Sequence, residues 1–276
     1  DMIQEETSLC AEKILLEAIK KNAKIIGIDG YISAPFFELI TALKQSASNS
    51  KINLNIIDID SMYKDPDTLD EMLRQSLPMD LEKDPVLLYG SLFKGDYMEL
   101  INEDKIDDLV KYASAFKNSN DDLLIIYGNG ALINELYMLC DITIFIDMTP
   151  IKTVLNVKAG KVRNLGDNKE RTFMELMRRF FYVDVQLALK RRGDLIKIGF
   201  DFYIQGDDPT VLQLIPTTCL YAIFDSLVDY PLRCKPVYLE GVWGGHYLSK
   251  IRNLPKGMKN CAWAFFSFGA IIWNIP

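Results

Sequence analysis

Histidine and closely spaced cysteines are nearly absent from this sequence. The 276 residues include one histidine, His246, and no C-x-x-C pair. The five cysteines are widely scattered: Cys10, Cys140, Cys219, Cys234 and Cys261. An odd, unpatterned set of cysteines indicates reduced thiols in a cytoplasmic protein and argues against a disulfide framework.

Long apolar runs and an excess of positive charge are also missing. The longest uncharged apolar stretch, 261–273, is shorter than the roughly 20 residues that cross a bilayer, so buried terminal strands explain it better. The N-terminal segment lacks the basic start and apolar block of a signal peptide. The net charge of −7 argues against a general nucleic-acid binder. We therefore predict a cytoplasmic protein without membrane or nucleic-acid partners.

The charge is unevenly distributed along the chain. Residues 151–197 contain 12 Lys and Arg against 5 Asp and Glu, a local balance of +7, which leaves −14 for the remainder. A basic segment of this kind either faces phosphate groups or forms a solvated helical face.

Short β-rich runs alternate with segments of helical spacing. The predicted strands are 24–28, 54–59, 86–89, 123–127, 142–146 and 202–204. The predicted helices are 36–43, 69–77, 106–116, 131–139, 172–192 and 220–228. Continuous apolar strands between helices indicate an α/β fold, a doubly wound, mostly parallel sheet covered on both faces. Ligands are expected at the carboxyl ends of its strands.

The texture of the sequence changes near residue 230. From Lys235 onward, aromatic and β-branched runs are interrupted by Gly, Pro and Asn, which indicates a small β extension of about two to four strands. We predict an α/β domain over residues 1–230 and the β extension over 231–276.

The first predicted strand leads into a turn at Asp29-Gly30 and then a helix, the layout of the phosphate-binding motif G-x-x-x-x-G-K-[ST]. If Gly30 is its first glycine, Pro35 takes the place of the second, Phe36 that of the lysine and Phe37 that of the Mg²⁺-binding hydroxyl residue. Proline has no N–H, and phenylalanine offers neither charge nor oxygen. The sequence thus keeps the layout of the loop without its phosphate-binding groups.

Three segments in this order resemble the uridine-kinase branch of the P-loop kinases: the loop itself, residues 58–64 (DIDSMYK) and residues 123–147. Together they span residues 23–147. Where that family has an acidic residue before Gly128, this chain has Tyr127, so a metal-orienting carboxylate is missing. The resemblance implies that Asp60 and Tyr63 act on a substrate hydroxyl. Alternatively, Asp60 only caps the turn after its strand.

The remaining candidate residues also allow two interpretations. Gly30 and Ser33 would bind phosphate, or they form a plain tight turn and the N-cap of the next helix. Arg178, Arg179 and Lys190 stand where kinases carry a mobile basic lid, so they would either contact phosphate or lie on a solvated helix.

Residues 232–263 resemble the opening of a type I mannose-6-phosphate isomerase cupin, through Pro236, Trp243-Gly244-Gly245 and Leu248. The whole chain resembles long bacterial isomerase-like proteins in which a kinase-like domain precedes the cupin. That resemblance implies a role in carbohydrate metabolism. It also implies a zinc site held by a Gln-x-His pair with a further Glu and His. These ligands are absent here, so we predict no metal site and no cofactor. His246 is expected at the surface or in packing, and Trp243 in the core or against a partner.

Three functions follow from these observations. The first is a non-catalytic, kinase-like binding or assembly domain of the isomerase-like family. Its partners would be a phosphorylated small molecule and either a second copy, paired through its C-terminal strands, or a separate cupin chain. The alternative is a nucleoside or sugar phosphotransferase that grips phosphate with Arg178, Arg179 or Lys190. The third, sugar-phosphate isomerisation, requires metal ligands that this polypeptide lacks.

Overall fold

The central element of the fold is strand β2 (Ile25–Gly30), in which every residue is buried. A computed structural model describes residues 3–119, 123–228, 234–240 and 259–265, with side chains in the first two ranges. The chain divides into two compact units, Asp1–Tyr221 and Ala222–Pro276. The domain boundary predicted near residue 230 stays a prediction.

Seven strands of the first unit form one sheet in the order β1-β7-β6-β5-β2-β4-β3. Their bounds are β1 (Gln4–Glu5), β2 (Ile25–Gly30), β3 (Leu54–Asp58), β4 (Leu123–Tyr127), β5 (Ile142–Asp147), β6 (Phe202–Gln205) and β7 (Gln213–Pro216). Strands β3, β4, β2, β5 and β6 run parallel. At one edge β7 pairs antiparallel with β6, and β1 pairs antiparallel with β7. The predicted doubly wound, mostly parallel α/β fold is confirmed.

Strand β2 lies between two neighbouring strands, and a glycine in it allows close packing. It pairs with β4 and with β5 in parallel register. A Cβ atom on Gly27 would lie 2.4 Å from Leu132 and 2.6 Å from Cys140. Only glycine therefore lets the segment after β4 pack this closely against the strand.

The described residues form ten α-helices. They are α1 (Thr7–Lys21), α2 (Phe36–Asn49), α3 (Pro66–Met72), α4 (Tyr97–Leu100), α5 (Glu103–Phe116), α6 (Asn134–Tyr137), α7 (Pro150–Lys158), α8 (Phe173–Arg179), α9 (Val185–Ile198) and α10 (Thr217–Val228). A π-helical turn, Phe180–Asp184, joins α8 to α9. Helices α1 and α2 bury apolar side chains against one side of the sheet. These side chains include Ile14, Leu39 and Leu43.

The predicted strand at 86–89 is wrong. Asp84 accepts hydrogen bonds from the backbone N–H groups of Leu87 and Tyr89, through its carbonyl and its carboxylate respectively. Leu87 adopts a left-handed φ of 50°. This local turn uses the donors that a strand would give to a neighbour, so an apolar run folds as a loop.

The second unit contains strands β8 (Cys234–Glu240) and β9 (Lys259–Phe265), which pair antiparallel. These two strands lie within the predicted β extension. Some predictions concern residues outside those described. They are the predictions for Trp243, for Gly244 to Leu248 including His246, and for the apolar stretch beyond Phe265.

Buried ion pairs connect the long helix formed by α8, the π-helical turn and α9 to the loop that precedes it. The Arg179 guanidinium lies 3.7 Å from a carboxylate oxygen of Asp184 and 3.5 Å from one of Asp167. Asn164 donates a 2.6 Å hydrogen bond to Asp184. Burial raises the pKa of Asp184 to about 6, although Arg179 and Asn164 oppose the shift.

Replacing Asp184 by Asn is expected to flatten the pH dependence of stability in acid. Because the folded state holds this proton more tightly than the unfolded chain does, the contribution of Asp184 to stability falls as pH rises from about 4 to about 6. The stability advantage of the wild type over Asp184→Asn should shrink by about 1–3 kcal/mol over that range. Urea unfolding at several pH values measures this, and parallel pH profiles for the two proteins would contradict it.

Candidate functional site

A cleft of about 550 Å³ opens at the carboxyl edge of the parallel sheet. The chain order reverses at β2, and such a switch point is the usual ligand site of doubly wound sheets. Polar residues from several elements line the cleft, among them Ser33, Asp60, Asn129, Lys152, Asn156 and Asp207.

Asp29, at the end of β2, organises the base of this edge. Its buried carboxylate accepts hydrogen bonds from the backbone N–H groups of Gly30, Gly130 and Leu132 at 2.7, 3.0 and 3.1 Å. Burial raises the pKa of Asp29, and the Arg191 guanidinium 3.6 Å away opposes that shift. The N–H of Gly30, a predicted phosphate ligand, is therefore already bonded within the protein.

The ring of Phe36 packs against the turn that follows β2. A Cβ on Gly30 would meet the Cζ atom of this ring at 2.9 Å, and its centroid lies 6.0 Å from that of Tyr127. Pro35 is the N-cap of α2 and forms no capping hydrogen bond through its side chain. Phe37 is 78% exposed and lines the cleft. The loop therefore offers aromatic surface in place of a cation and a hydroxyl.

Asp60 and Tyr63, the predicted catalytic residues, differ in accessibility. Asp60 lines the cleft. Its pKa is raised mainly by partial burial and to a smaller extent by the negative charge of the neighbouring Asp58. It does not cap the turn after β3, because Asp58 is the residue that accepts a hydrogen bond from the backbone of Asp60. Tyr63 is buried, and its hydroxyl donates a 2.8 Å hydrogen bond to the carbonyl of Asn129. Asp60 is thus the one of the pair that can meet a ligand.

Ser33 lies in the cleft but does not cap α2, so the alternative that made it an N-cap is wrong. It adopts a left-handed φ of 69°, and its hydroxyl accepts a 3.3 Å hydrogen bond from the Asn156 side chain. The structure brings Ser33 and Asp60 into one cleft, whereas Gly30 is not among the residues that line it.

Arg178, Arg179 and Lys190 lie outside the residues that line this cleft. Arg178 is buried and donates to the carbonyls of Tyr89 and Pro78. Arg179 is also buried, so neither arginine lies on a solvated helical face as one interpretation expected. Lys190 is exposed and pairs with Asp96 at 2.9 Å. Their contact with a phosphate in the cleft stays a prediction that these positions do not favour.

The basic residues of the cleft are instead Lys152, on α7, and Lys161 and Arg163, in the loop after that helix. They belong to the first part of the positively charged segment 151–197. The sequence therefore indicated the correct segment, but the predicted phosphate contacts lay in its second part. The sequence pattern did not identify Asp207 as a cleft residue either. It accepts hydrogen bonds from the backbone and hydroxyl of Thr149 at 2.7 Å each and thereby fixes the start of α7.

The strand order, with a loop and helix α2 following the central strand, defines a doubly wound, mostly parallel α/β protein. By sequence, the chain belongs to a family described as a domain of unknown function (DUF8485), whose model matches residues 11–229. No curated protein matches its sequence. Among the described residues, no helix is both long and apolar enough to span a bilayer.

Solved kinases give distant structural similarities. Phosphoribulokinase from Rhodobacter spheroides aligns at 13% identity and a TM-score of 0.43, over 76% of this chain and 97% of that chain. A protein described as a possible uridine kinase from Bacillus stearothermophilus aligns at 13% identity and a TM-score of 0.35, over 66% and 95%. Scores this low carry no inference about function.

Replacing Phe36 by Ala is expected to destabilise the protein by about 1–3 kcal/mol, because the half-buried ring packs against Gly30 and Tyr127. The adjacent Phe37→Ala is the matched control and should cost less than about 0.5 kcal/mol, since that ring is largely exposed. Urea unfolding measures both values. Equal losses in the two variants would show that Phe36 does not fill the loop.

Proposed function

We propose that the chain is a non-catalytic, kinase-like domain that binds a phosphorylated, hydroxyl-rich small molecule in the cleft. The observation that carries this proposal is the Phe36 ring packed into the loop after β2. Phosphoryl transfer from a nucleotide depends on a lysine and a bound Mg²⁺ that neutralise developing charge. With Pro35, Phe36 and Phe37 in that loop, a triphosphate finds neither.

The distribution of charge supports a monophosphate ester as the ligand. Helix α7 and the loop that follows it contribute Lys152, Lys161 and Arg163, whereas Asp60 and Asn129 follow strands β3 and β4. Cations bind a phosphate dianion, and carboxylate and amide groups bind hydroxyls. Mixed polarity of this kind suits a sugar phosphate better than it suits a polyanion.

Lys152→Ala is expected to weaken binding of ribose 5-phosphate by about tenfold, because a charge-assisted contact is lost. The matched control is Lys158→Ala, an exposed lysine of the same helix that does not line the cleft. Titration calorimetry on the full chain should also show ribose 5-phosphate binding at least about tenfold more tightly than ribose. Equal effects of the two lysine variants, or no preference for the phosphorylated sugar, would refute the proposal.

A second candidate function is phosphotransfer with a non-standard phosphate grip. The observation that favours it is Asp60, a carboxylate that reaches the cleft and whose pKa is raised by burial, in the direction that suits a general base.

Under this second candidate, the protein would convert ATP–Mg²⁺ and a sugar or nucleoside acceptor to ADP and a phosphate ester. Asp60→Asn would then lower the rate by about 10²-fold or more, as expected for loss of a general base. A coupled ADP-release assay is the test. Under the first proposal we expect no release above background in either protein, and turnover that disappears in Asp60→Asn would replace that proposal with this one.

The isomerase-like resemblance rests on residues 232–263, outside the segment that the family model matches. It receives no support from the described residues, and isomerisation is not proposed for this chain. An assembly role, with a second copy or a separate cupin chain as partner, remains part of the first proposal.

A further inference from the structure

Strand β3 lies at one edge of the sheet and, among the described residues, pairs only with β4. The opposite edge is β1, which has two residues. Short edge strands, and prolines, bulges or charges within them, discourage the addition of a further strand. Strand β3 has five residues in unbroken register with β4, contains no proline, and carries its single charge at its end, on Asp58. It is therefore the edge that can accept another strand.

The backbone groups on the open side of β3 belong to Leu54 and Ile56. The N–H of Leu123 donates to the carbonyl of Asn53. Alternate residues of a strand direct their N–H and C=O groups to the same side, so every second residue from Asn53 bonds to β4. Leu54 and Ile56 lie between these residues and direct their backbone groups away from the sheet. Within the part of the chain that the structure describes, nothing bonds to these groups.

An open groove of about 570 Å³ runs beside this edge. Strand β3 contributes Leu54 and Ile56 to its lining, and helix α2 contributes Lys44, Ala47 and Ser48. Leu54 and Ile56 share one face of the strand, are half-buried and pack against the core. The groove thus offers backbone hydrogen bonds and apolar side chains together, which are the two contacts that an added strand makes.

The charged residues that line the groove are both lysines. Lys44 and Lys51 are exposed, and neither forms an ion pair with another described residue. None of the described residues that line the groove carries a carboxylate. Two exposed cations without partners favour an occupant that carries acidic residues beside its apolar ones.

The same charges disfavour a second copy of this chain as the occupant. A two-fold axis that paired β3 with its copy would place both α2 helices on one face of the joined sheet. Lys44 and Lys51 of the two chains would then approach one another, and like charges across an interface oppose association.

We propose that the β3 edge binds an extended, acidic segment of a partner protein, which adds to the sheet as a further strand. Alternate apolar residues of this segment pack against Leu54, Ile56 and Ala47, and its carboxylates pair with Lys44 and Lys51. No described residue lines both this groove and the cleft, so the proposal does not depend on the proposed function.

Fluorescence anisotropy of a labelled, end-blocked peptide, Glu-Thr-Val-Thr-Val-Thr-Glu, titrated with the full chain tests this surface. Its valines and glutamates share one face of a strand. We expect a Kd below about 1 mM. The peptide Lys-Thr-Val-Thr-Val-Thr-Lys, with reversed charge, and Glu-Thr-Val-Pro-Val-Thr-Glu, with a proline that opposes strand pairing, should each bind at least about tenfold more weakly.

Two variants of the chain separate the contacts. Ile56→Pro removes one outward N–H without removing a donor to β4, and it should weaken binding by about tenfold, whereas Ile56→Val should not. Lys44→Glu should weaken binding by about three- to tenfold at low salt. Its matched control is Lys158→Glu, the same charge change at an exposed lysine outside the groove. Lys44→Glu keeps the test decisive if Ile56→Pro fails to fold, because Lys44 is exposed.

Four results would overturn the proposal. They are no binding of the acidic peptide at about 1 mM, equal binding of the acidic and lysine peptides, equal losses in Lys44→Glu and Lys158→Glu, and a dimer in sedimentation that Ile56→Pro abolishes. The last result would assign the edge to a second copy of the chain.

Discussion

The buried carboxylate of Asp29 is the interaction on which the functional edge depends. It ties the end of β2 to the backbone of the segment after β4 through Gly130 and Leu132, and it occupies the N–H of Gly30. Three backbone donors and Arg191 offset part of the hydration that this carboxyl loses, although burial still raises its pKa. The same bonds that fix the loop geometry thus withdraw a donor that a phosphate would need.

The loop after β2 leads from a buried strand into a helix but carries Pro35, Phe36 and Phe37. Its turn and the following helix are retained because the parallel sheet needs a short crossover at this point. The Phe36 ring packs where a ligand would lie and adds apolar contact with Tyr127. The basic residues Lys152 and Lys161 line the cleft from α7 and the loop beyond it.

The doubly wound sheet was predictable because a strand covered on both faces is mostly apolar, as 25–28, 123–127 and 142–146 are. The cleft was predictable in part, through Asp60 and Ser33, because parallel strands bring the residues after their carboxyl ends together. The strand at 86–89 failed for a local reason. The carboxylate and carbonyl of Asp84 capture its backbone donors, and an apolar pattern does not reveal that competition.

The sequence by itself determined the alternation of strands and helices, the aromatic replacement of the phosphate-binding groups and the location of the basic segment, since each depends on residue type and spacing alone. Only the tertiary structure decided which charges face a ligand. Arg178 and Arg179 are buried against carbonyls and carboxylates, whereas Lys152 and Arg163 reach the cleft. The reason is physical: the partner of a charged side chain is chosen by elements that meet across the fold, and helical spacing cannot specify it.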